Sequence, residues 1–371
     1  MKNILLIFGT RPEAIKMAPL VKVLKSDGLS FCTKVCVTAQ HREMLDQVLD
    51  FFEVVPDFDL NLMRPGQNLF QLTADLITGL KPVMENFKPD YVLVHGDTTT
   101  SMVSALAAFY SGAKVCHVEA GLRTHDKWSP FPEEINRQLT GRLADIHFAP
   151  TEVSQQNLLD EGCKKDSIKV VGNTVIDALL WAVDKLKDYT DNEIDSLKKI
   201  LSVEKKVILV TGHRRENFGE GFINICKAIK KLSSRPDVQI IYPVHLNPNV
   251  QGPVHEILKD IPNVKLISPL GYPAFVWLME KSYLILTDSG GVQEEAPSLG
   301  KPVLVMRDNT ERPEALQAGT VKLVGTVKEQ ITGAAFQLLD DQHEYSLMSK
   351  AHNPYGDGKS SIRILEVLKN G

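Results

Sequence analysis

Short apolar runs that stop at a glycine or a polar cluster, each followed at once by a helix-patterned segment, recur along the whole chain. No other feature constrains its fold as strongly. The clearest instance runs from Tyr91 to Arg137. Val92 to Val94 end in His95-Gly96-Asp97, where a helical pattern begins immediately. Ala113 to Val118 end in Glu119-Ala120-Gly121, and a loop rich in Pro, Trp and Phe then delivers Glu133 and Glu134. Strands buried on both faces read as continuous apolar runs, and their alternation with helices means an α/β fold with a doubly wound parallel sheet. Such sheets bind ligands at the carboxyl ends of their strands, which makes Asp97 and Glu119 candidates. Taken singly, Asp97 also reads as a helix cap and Glu119 as a solvated turn residue. Two acids at successive strand ends, with more on the next loop, favour a site. Clustered carboxylates push their pKa values apart, and acid–base catalysis uses that splitting.

The pattern begins with the chain. Residues 3–9 (NILLIFG) read as a buried strand closed by glycine. Thr10 is then an N-cap, Pro12 lies in the first turn, Glu13 completes a capping box, and Met17, Leu20, Val21 and Leu24 follow at helical spacing. Arg11 and Lys16 are not explained by capping. Cations near a helix N-terminus oppose the dipole, and an anionic ligand such as a phosphate offsets that cost; ordinary solvated cations are the alternative. After further strands at 34–38, 146–150 and 168–172, the pattern lapses and then restarts at residue 206. At 371 residues two domains are expected. We place a Rossmann-like domain over 1–172 carrying the acids, a linker and hinge over 173–202, a second Rossmann-like domain over 203–352, and a terminal helical segment over 353–371.

Bulk properties exclude more than they select. A net charge of −4 gives no reason to expect nucleic acid or an anionic membrane surface as partner. The five cysteines are scattered, without metal-ligand spacing, and fit a reducing cytoplasm. The opening apolar run is too short for a signal peptide, and no run reaches the length of a membrane span. A cytoplasmic location is the expectation.

In the second half, Asp288-Ser289-Gly290-Gly291 follows a strand directly. Paired glycines let backbone N–H groups approach a ligand, and the following helix start attracts phosphate. The stretch is neither a Walker loop nor GxGxxG, so neither an ATPase nor a nicotinamide dehydrogenase is implied. Glu294 and Glu295 read either as complements to the helix dipole or as holders of a ribose diol. His213-Arg214-Arg215 at another strand end suits a diphosphate clamp, and His245 takes the equivalent place on the next strand. The histidines are dispersed over different strands, and no metal site is expected. Acids in one domain and cations with a nucleotide site in the other fit a nucleotide-sugar.

Seven stretches then become recognisable together: GTRPEAIKMAPL, HGDTTT, HVEAGLRT, PEEINR, TGHRREN, YPVHLNP and DSGGVQEEAPSLGKPVLVMR. The chain from Gly9 to the NPYGDG segment resembles the non-hydrolysing UDP-N-acetylglucosamine 2-epimerases. The resemblance implies two doubly wound Rossmann-like domains facing across a cleft, the glycosyltransferase-B architecture. The second domain would bind UDP, and the last helix would cross back to the first. It implies a homodimer, without redox cofactor, that interconverts UDP-GlcNAc and UDP-ManNAc and supplies ManNAc for surface polysaccharide. Carried over by residue, the catalytic groups are Asp97, Glu119, Glu133 and His213. The UDP contacts are Arg11, Lys16, His213, Phe275, Ser289, Gly290, Gly291 and Glu295. An activating second UDP-GlcNAc would meet Gln40, His41, Gln67, Glu133, Arg214 and His245. A hydrolysing epimerase, a retaining glycosyltransferase and a non-catalytic nucleotide-sugar sensor are the rival readings. Three acids argue against the sensor, because binding a neutral sugar does not require them.

Overall fold

The structure, a computed structural model, describes residues 1–38, 42–62, 64 and 66–371. It comprises two compact units, Met1–Leu180 with Tyr355–Gly371, and Trp181–Pro354. The first is built on seven strands: β1 (Lys2–Phe8), β2 (Phe31–Val37), β3 (Phe58–Asp59), β4 (Tyr91–His95), β5 (Lys114–Val118), β6 (Ile146–Ala149) and β7 (Ile168–Val170). All neighbours pair in parallel, in the order β3-β2-β1-β4-β5-β6-β7. The second unit repeats the plan with β8 (Lys206–Thr211), β9 (Val238–Pro243), β10 (Val264–Ile267), β11 (Leu284–Thr287), β12 (Val303–Val305) and β13 (Val321–Leu323). Their order is β10-β9-β8-β11-β12-β13, again parallel. Both units are therefore doubly wound Rossmann-like α/β domains, as expected. Each sheet has its switch point where the strand order reverses, between β1 and β4 and between β8 and β11. In doubly wound sheets ligands bind outside the carboxyl ends of the strands at such a point.

The reason is visible in the strands. Ile4 to Phe8 on β1, and Val92 to Val94 on β4, are wholly buried because helices cover both faces of the sheet. The helix Arg11–Ser26 seals one face with Met17, Leu20, Val21 and Leu24. It starts with the predicted capping box: Thr10 Oγ1 accepts from the Glu13 N–H, and the Glu13 carboxylate accepts from the Thr10 N–H at 2.8 Å. Glu13 also accepts from the hydroxyls of Thr98 (2.6 Å) and Ser101 (3.0 Å), locking the turn after β1 to the turn after β4. Gly9 is required where these turns meet, since a Cβ there would lie 1.9 Å from Thr38 Oγ1.

The final helix, Ser360–Asn370, belongs to the first unit and packs on Arg11–Ser26. Buried Asp177 caps its start, accepting from the N–H groups of Ser360 (3.2 Å) and Ser361 (2.7 Å). Lys2 Nζ donates to Leu368 O near its end, at 2.9 Å. Among the described residues no helix is long and apolar enough to cross a membrane.

Candidate active site

In the first unit the acids gather at the ends of β4 and β5. Asp97 is not a helix cap: the helix Thr99–Tyr110 is capped by Thr98, whose hydroxyl accepts from the Ser101 N–H. Asp97 instead meets Arg137, whose Nη2 donates to Oδ2 at 2.5 Å, while Asn136 Nδ2 holds the Asp97 carbonyl at 3.0 Å. Burial pushes the Asp97 carboxyl above its ordinary pKa, Arg137 opposes the shift, and the neighbouring Glu119 charge adds to it.

Nor is Glu119 a solvated turn residue. Its side chain is 13% exposed. Oε2 accepts from Lys16 Nζ at 2.5 Å and from Asn173 Nδ2 at 2.8 Å, and His95 Nε2 stands 3.7 Å away. Its backbone sits in the left-handed region, φ 61°. That conformation is uncommon for a residue bearing a Cβ, and it is of the kind that collects at functional sites. Burial brings the His95 pKa down to about 4, so the imidazole beside Glu119 is neutral at pH 7. The next strands carry two more buried histidines, His117 and His147, in register with one another. His117 Nε2 donates to Gly96 O at 2.7 Å and so supports the turn that carries Asp97.

Glu133 and Glu134 open the helix Glu133–Leu143 and divide in role. Glu134 is wholly buried and accepts from Thr124 N and Oγ1, His125 N and Gln138 Nε2, which pins the loop preceding the helix. Glu133 is half-buried, and its Oε2 is shielded from solvent without a hydrogen-bond partner among the described residues. That leaves an acceptor of the type a substrate hydroxyl or amide would satisfy. Arg11 is the first residue of the helix after β1, so it and Lys16 both enter from the β1 side of the switch point. Gln40 and His41 lie outside the described residues. Gln67 is half-buried and donates to Asp75 Oδ2 at 3.0 Å.

In the second unit the switch point is organised by an acid that faces inward. Asp288, directly after β11, is wholly buried; its Oδ2 accepts from the backbone N–H groups of His213 and Arg214, each at 2.8 Å. These bonds fix the turn after β8 so that His213 and Arg214 project from the strand edge. The His213 ring stacks on His245, centroids 5.0 Å apart and planes 12° apart. Burial lowers the His213 pKa; Asp288 pulls it up, while His245 and Arg214 push it further down. The neutral imidazole keeps one N–H to donate.

Ser289, Gly290 and Gly291 follow, with Gly290 opening the short helix Gly290–Glu295. A Cβ on Gly290 would lie 3.8 Å from the guanidinium nitrogens of both Arg214 and Arg312, so two cations stand over this glycine. Glu294 is buried and ion-paired with Arg312, while Glu295, one residue on, is half-buried. Phe275 is half-buried in the first turn of the helix Tyr272–Lys281. Sequence reasoning named neither Arg137, Arg312 nor Asn173 as site residues. Arg137 does lie within the PEEINR stretch, but nothing local to it points to a partner forty residues earlier.

A profile of the family described as UDP-N-acetylglucosamine 2-epimerase matches residues 23–369. A UDP-N-acetylglucosamine 2-epimerase of Escherichia coli (strain K12) is 60% identical over 371 residues, spanning 99% of this chain and 98% of that relative. The chain belongs to the UDP-N-acetylglucosamine 2-epimerase family. It is thus an isomerase by kinship, and the two Rossmann-like units are those of the family. The UDP-GlcNAc 2-epimerase of Neisseria meningitidis, solved bound to UDP-GlcNAc, is 52% identical over the whole of both chains with a TM-score of 0.90. The Methanocaldococcus jannaschii epimerase, solved in complex with UDP-GlcNAc and UDP, is 35% identical, again over both whole chains, with a TM-score of 0.81.

Proposed function

We propose that the chain interconverts UDP-GlcNAc and UDP-ManNAc by eliminating UDP across C1 and C2 of the sugar and adding it back. One observation carries the reading: Asp97 and Glu119 stand at adjacent strand ends, each held by a cation, beside the neutral imidazole of His95. The C2 hydrogen is not acidic while UDP remains on C1. As UDP departs, C1 gains oxocarbenium character and a carboxylate removes the C2 proton. The unsaturated sugar is then protonated on its other face and UDP returns. Two faces need acid–base groups in two places, which Asp97, Glu119 and Glu133 supply. Cations and N–H donors stabilise the departing diphosphate: Arg11 and Lys16 in the first unit, Arg214 with the N–H groups of His213 and of the Ser289-Gly290-Gly291 backbone in the second. Phe275 packs against the uracil, and Glu295 holds the ribose diol.

The supporting measurement is NMR of the nucleotide-sugar after incubation with UDP-GlcNAc alone in D2O. UDP-ManNAc carrying deuterium at C2, with C3 and C4 still protonated, is the expected product. Full-rate epimerisation with protium retained at C2 refutes the mechanism, and free ManNAc as the product would make the enzyme a hydrolysing one.

The same reading extends to a second UDP-GlcNAc acting as activator through Gln40, His41, Gln67, Glu133, Arg214 and His245. With pure UDP-ManNAc, turnover should then be slow until a little UDP-GlcNAc is added. A cytoplasmic homodimer supplying ManNAc for surface polysaccharide completes the proposal. The paired helices Leu69–Phe87 and Thr99–Tyr110 carry exposed Phe70, Phe109 and Tyr110, apolar surface of the kind self-association covers.

A further inference from the structure

We infer that Asn173 is a positioning residue for Glu119, an inference that rests on the reading of Glu119 as an acid–base group. Asn173 is 3% exposed and makes a bond through each of its polar ends. Its backbone N–H donates to Tyr355 O at 2.7 Å, its Oδ1 accepts from the Val175 N–H at 3.1 Å, and its Nδ2 donates to Glu119 Oε2 at 2.8 Å. These bonds leave the amide one orientation. Flipping it would set Oδ1 against a carboxylate and the NH2 against an N–H, two repulsions in place of two bonds.

The residue before it adds rigidity. Gly172 has φ 90°, and a Cβ there would lie 2.6 Å from Ser360 Oγ and 3.3 Å from Tyr355 O, so this stretch of backbone runs tight against the returning chain. Lys16 and Asn173 donate to Glu119 in different ways. Lys16 brings charge on a flexible four-carbon stem, whereas Asn173 brings a direction fixed by its own backbone. Glu119 sits on a left-handed backbone at a loop start, where its carboxylate aim depends on such an anchor. Displacing a reacting group by about 1 Å costs on the order of 100-fold in rate.

Two variants separate this role from a structural one. Asn173→Asp keeps the volume, the backbone bond to Tyr355 and the acceptor for Val175 N–H, but sets a carboxylate oxygen against Glu119. Asn173→Ser keeps a helix-start acceptor and is too short to reach Glu119. The Ser variant should hold a melting temperature and a calorimetric UDP affinity close to those of the parent; the Asp variant, with two carboxylates in contact, should melt lower and keep its UDP affinity. The kcat should fall about tenfold for Ser and about 100-fold for Asp, with KM little changed. A purely structural Asn173 predicts parent kcat wherever the fold is kept, so either folded variant at full kcat overturns the proposal. Glu119→Gln is measured alongside. If it turns over at the parent rate, the role of Glu119 itself falls; if it is slow while the Asn173 variants are not, only Asn173 is removed.

Discussion

The strand-end sites of the two units share one plan and are loaded with opposite charge. In the first, carboxylates reach the edge and cations lie beside them: Arg137 on Asp97, Lys16 on Glu119. In the second, the carboxylate is the hidden member. Asp288 is wholly buried holding backbone N–H groups, and His213 and Arg214 stand outward. One fold therefore presents carboxylates at one strand edge and an imidazole with a guanidinium at the other, according to which group serves as scaffold.

That contrast can be broken most decisively at the acids. Asp97→Asn and Glu119→Gln should each lower kcat by about 10²–10⁴-fold, the usual contribution of an acid–base group, while calorimetric UDP affinity holds. A variant that loses UDP affinity and keeps kcat would erase the division between the units. Next in size is Asp288→Ala. It strands the N–H groups of His213 and Arg214 in a buried place, at about 1–3 kcal/mol. It should lower the melting temperature and weaken UDP binding tenfold or more, while Asp288→Asn, which keeps an acceptor, does less. Glu295→Ala should weaken UDP binding by about tenfold, ~1.4 kcal/mol, with the melting temperature unmoved; unchanged affinity removes Glu295 from the site.

The last effect concerns pH. Burial holds His95 near a pKa of about 4, His117 about 3 and His147 about 4, all below the 6.5 of an unfolded histidine. Between those values and 6.5 the unfolded chain binds more protons than the folded one. Stability contributed by the neutral rings is therefore full above about pH 6.5 and is lost as pH falls. Each ring contributes a slope of at most about 1.4 kcal/mol per pH unit. His147→Gln should flatten the fall in melting temperature between pH 6.5 and 4.5 relative to the parent. Identical slopes would show that His147 does not titrate on unfolding.

Much of this was legible in the sequence, for a local reason. Buried parallel strands are apolar throughout, so the residues that end them stand out, and those are the residues a doubly wound sheet presents at its edge. Thr10, Pro12 and Glu13 were readable because a capping box is complete within four residues. What stayed hidden was pairing across distance. Arg137 reaches Asp97 over forty positions, and Asn173 reaches Glu119 over fifty-four. Asp97 also reads as a cap until the structure shows Thr98 in that place. Asp288 likewise reads as part of a phosphate loop, although its carboxylate turns inward. The placement of Gln40 and His41 falls outside the described residues.

The return of the chain at Tyr355 also makes the two units unequal in their dependence on distant chain segments. Residues 181–354 form an uninterrupted unit, complete within one stretch of chain. The first unit, by contrast, is completed only by residues 355–371. Until Ser360 and Ser361 arrive, Asp177 has no N–H groups to cap, and the flank of the helix Arg11–Ser26 lies open. A chain cut short of residue 360 should therefore leave that flank uncovered, while residues 181–354 keep an unbroken unit.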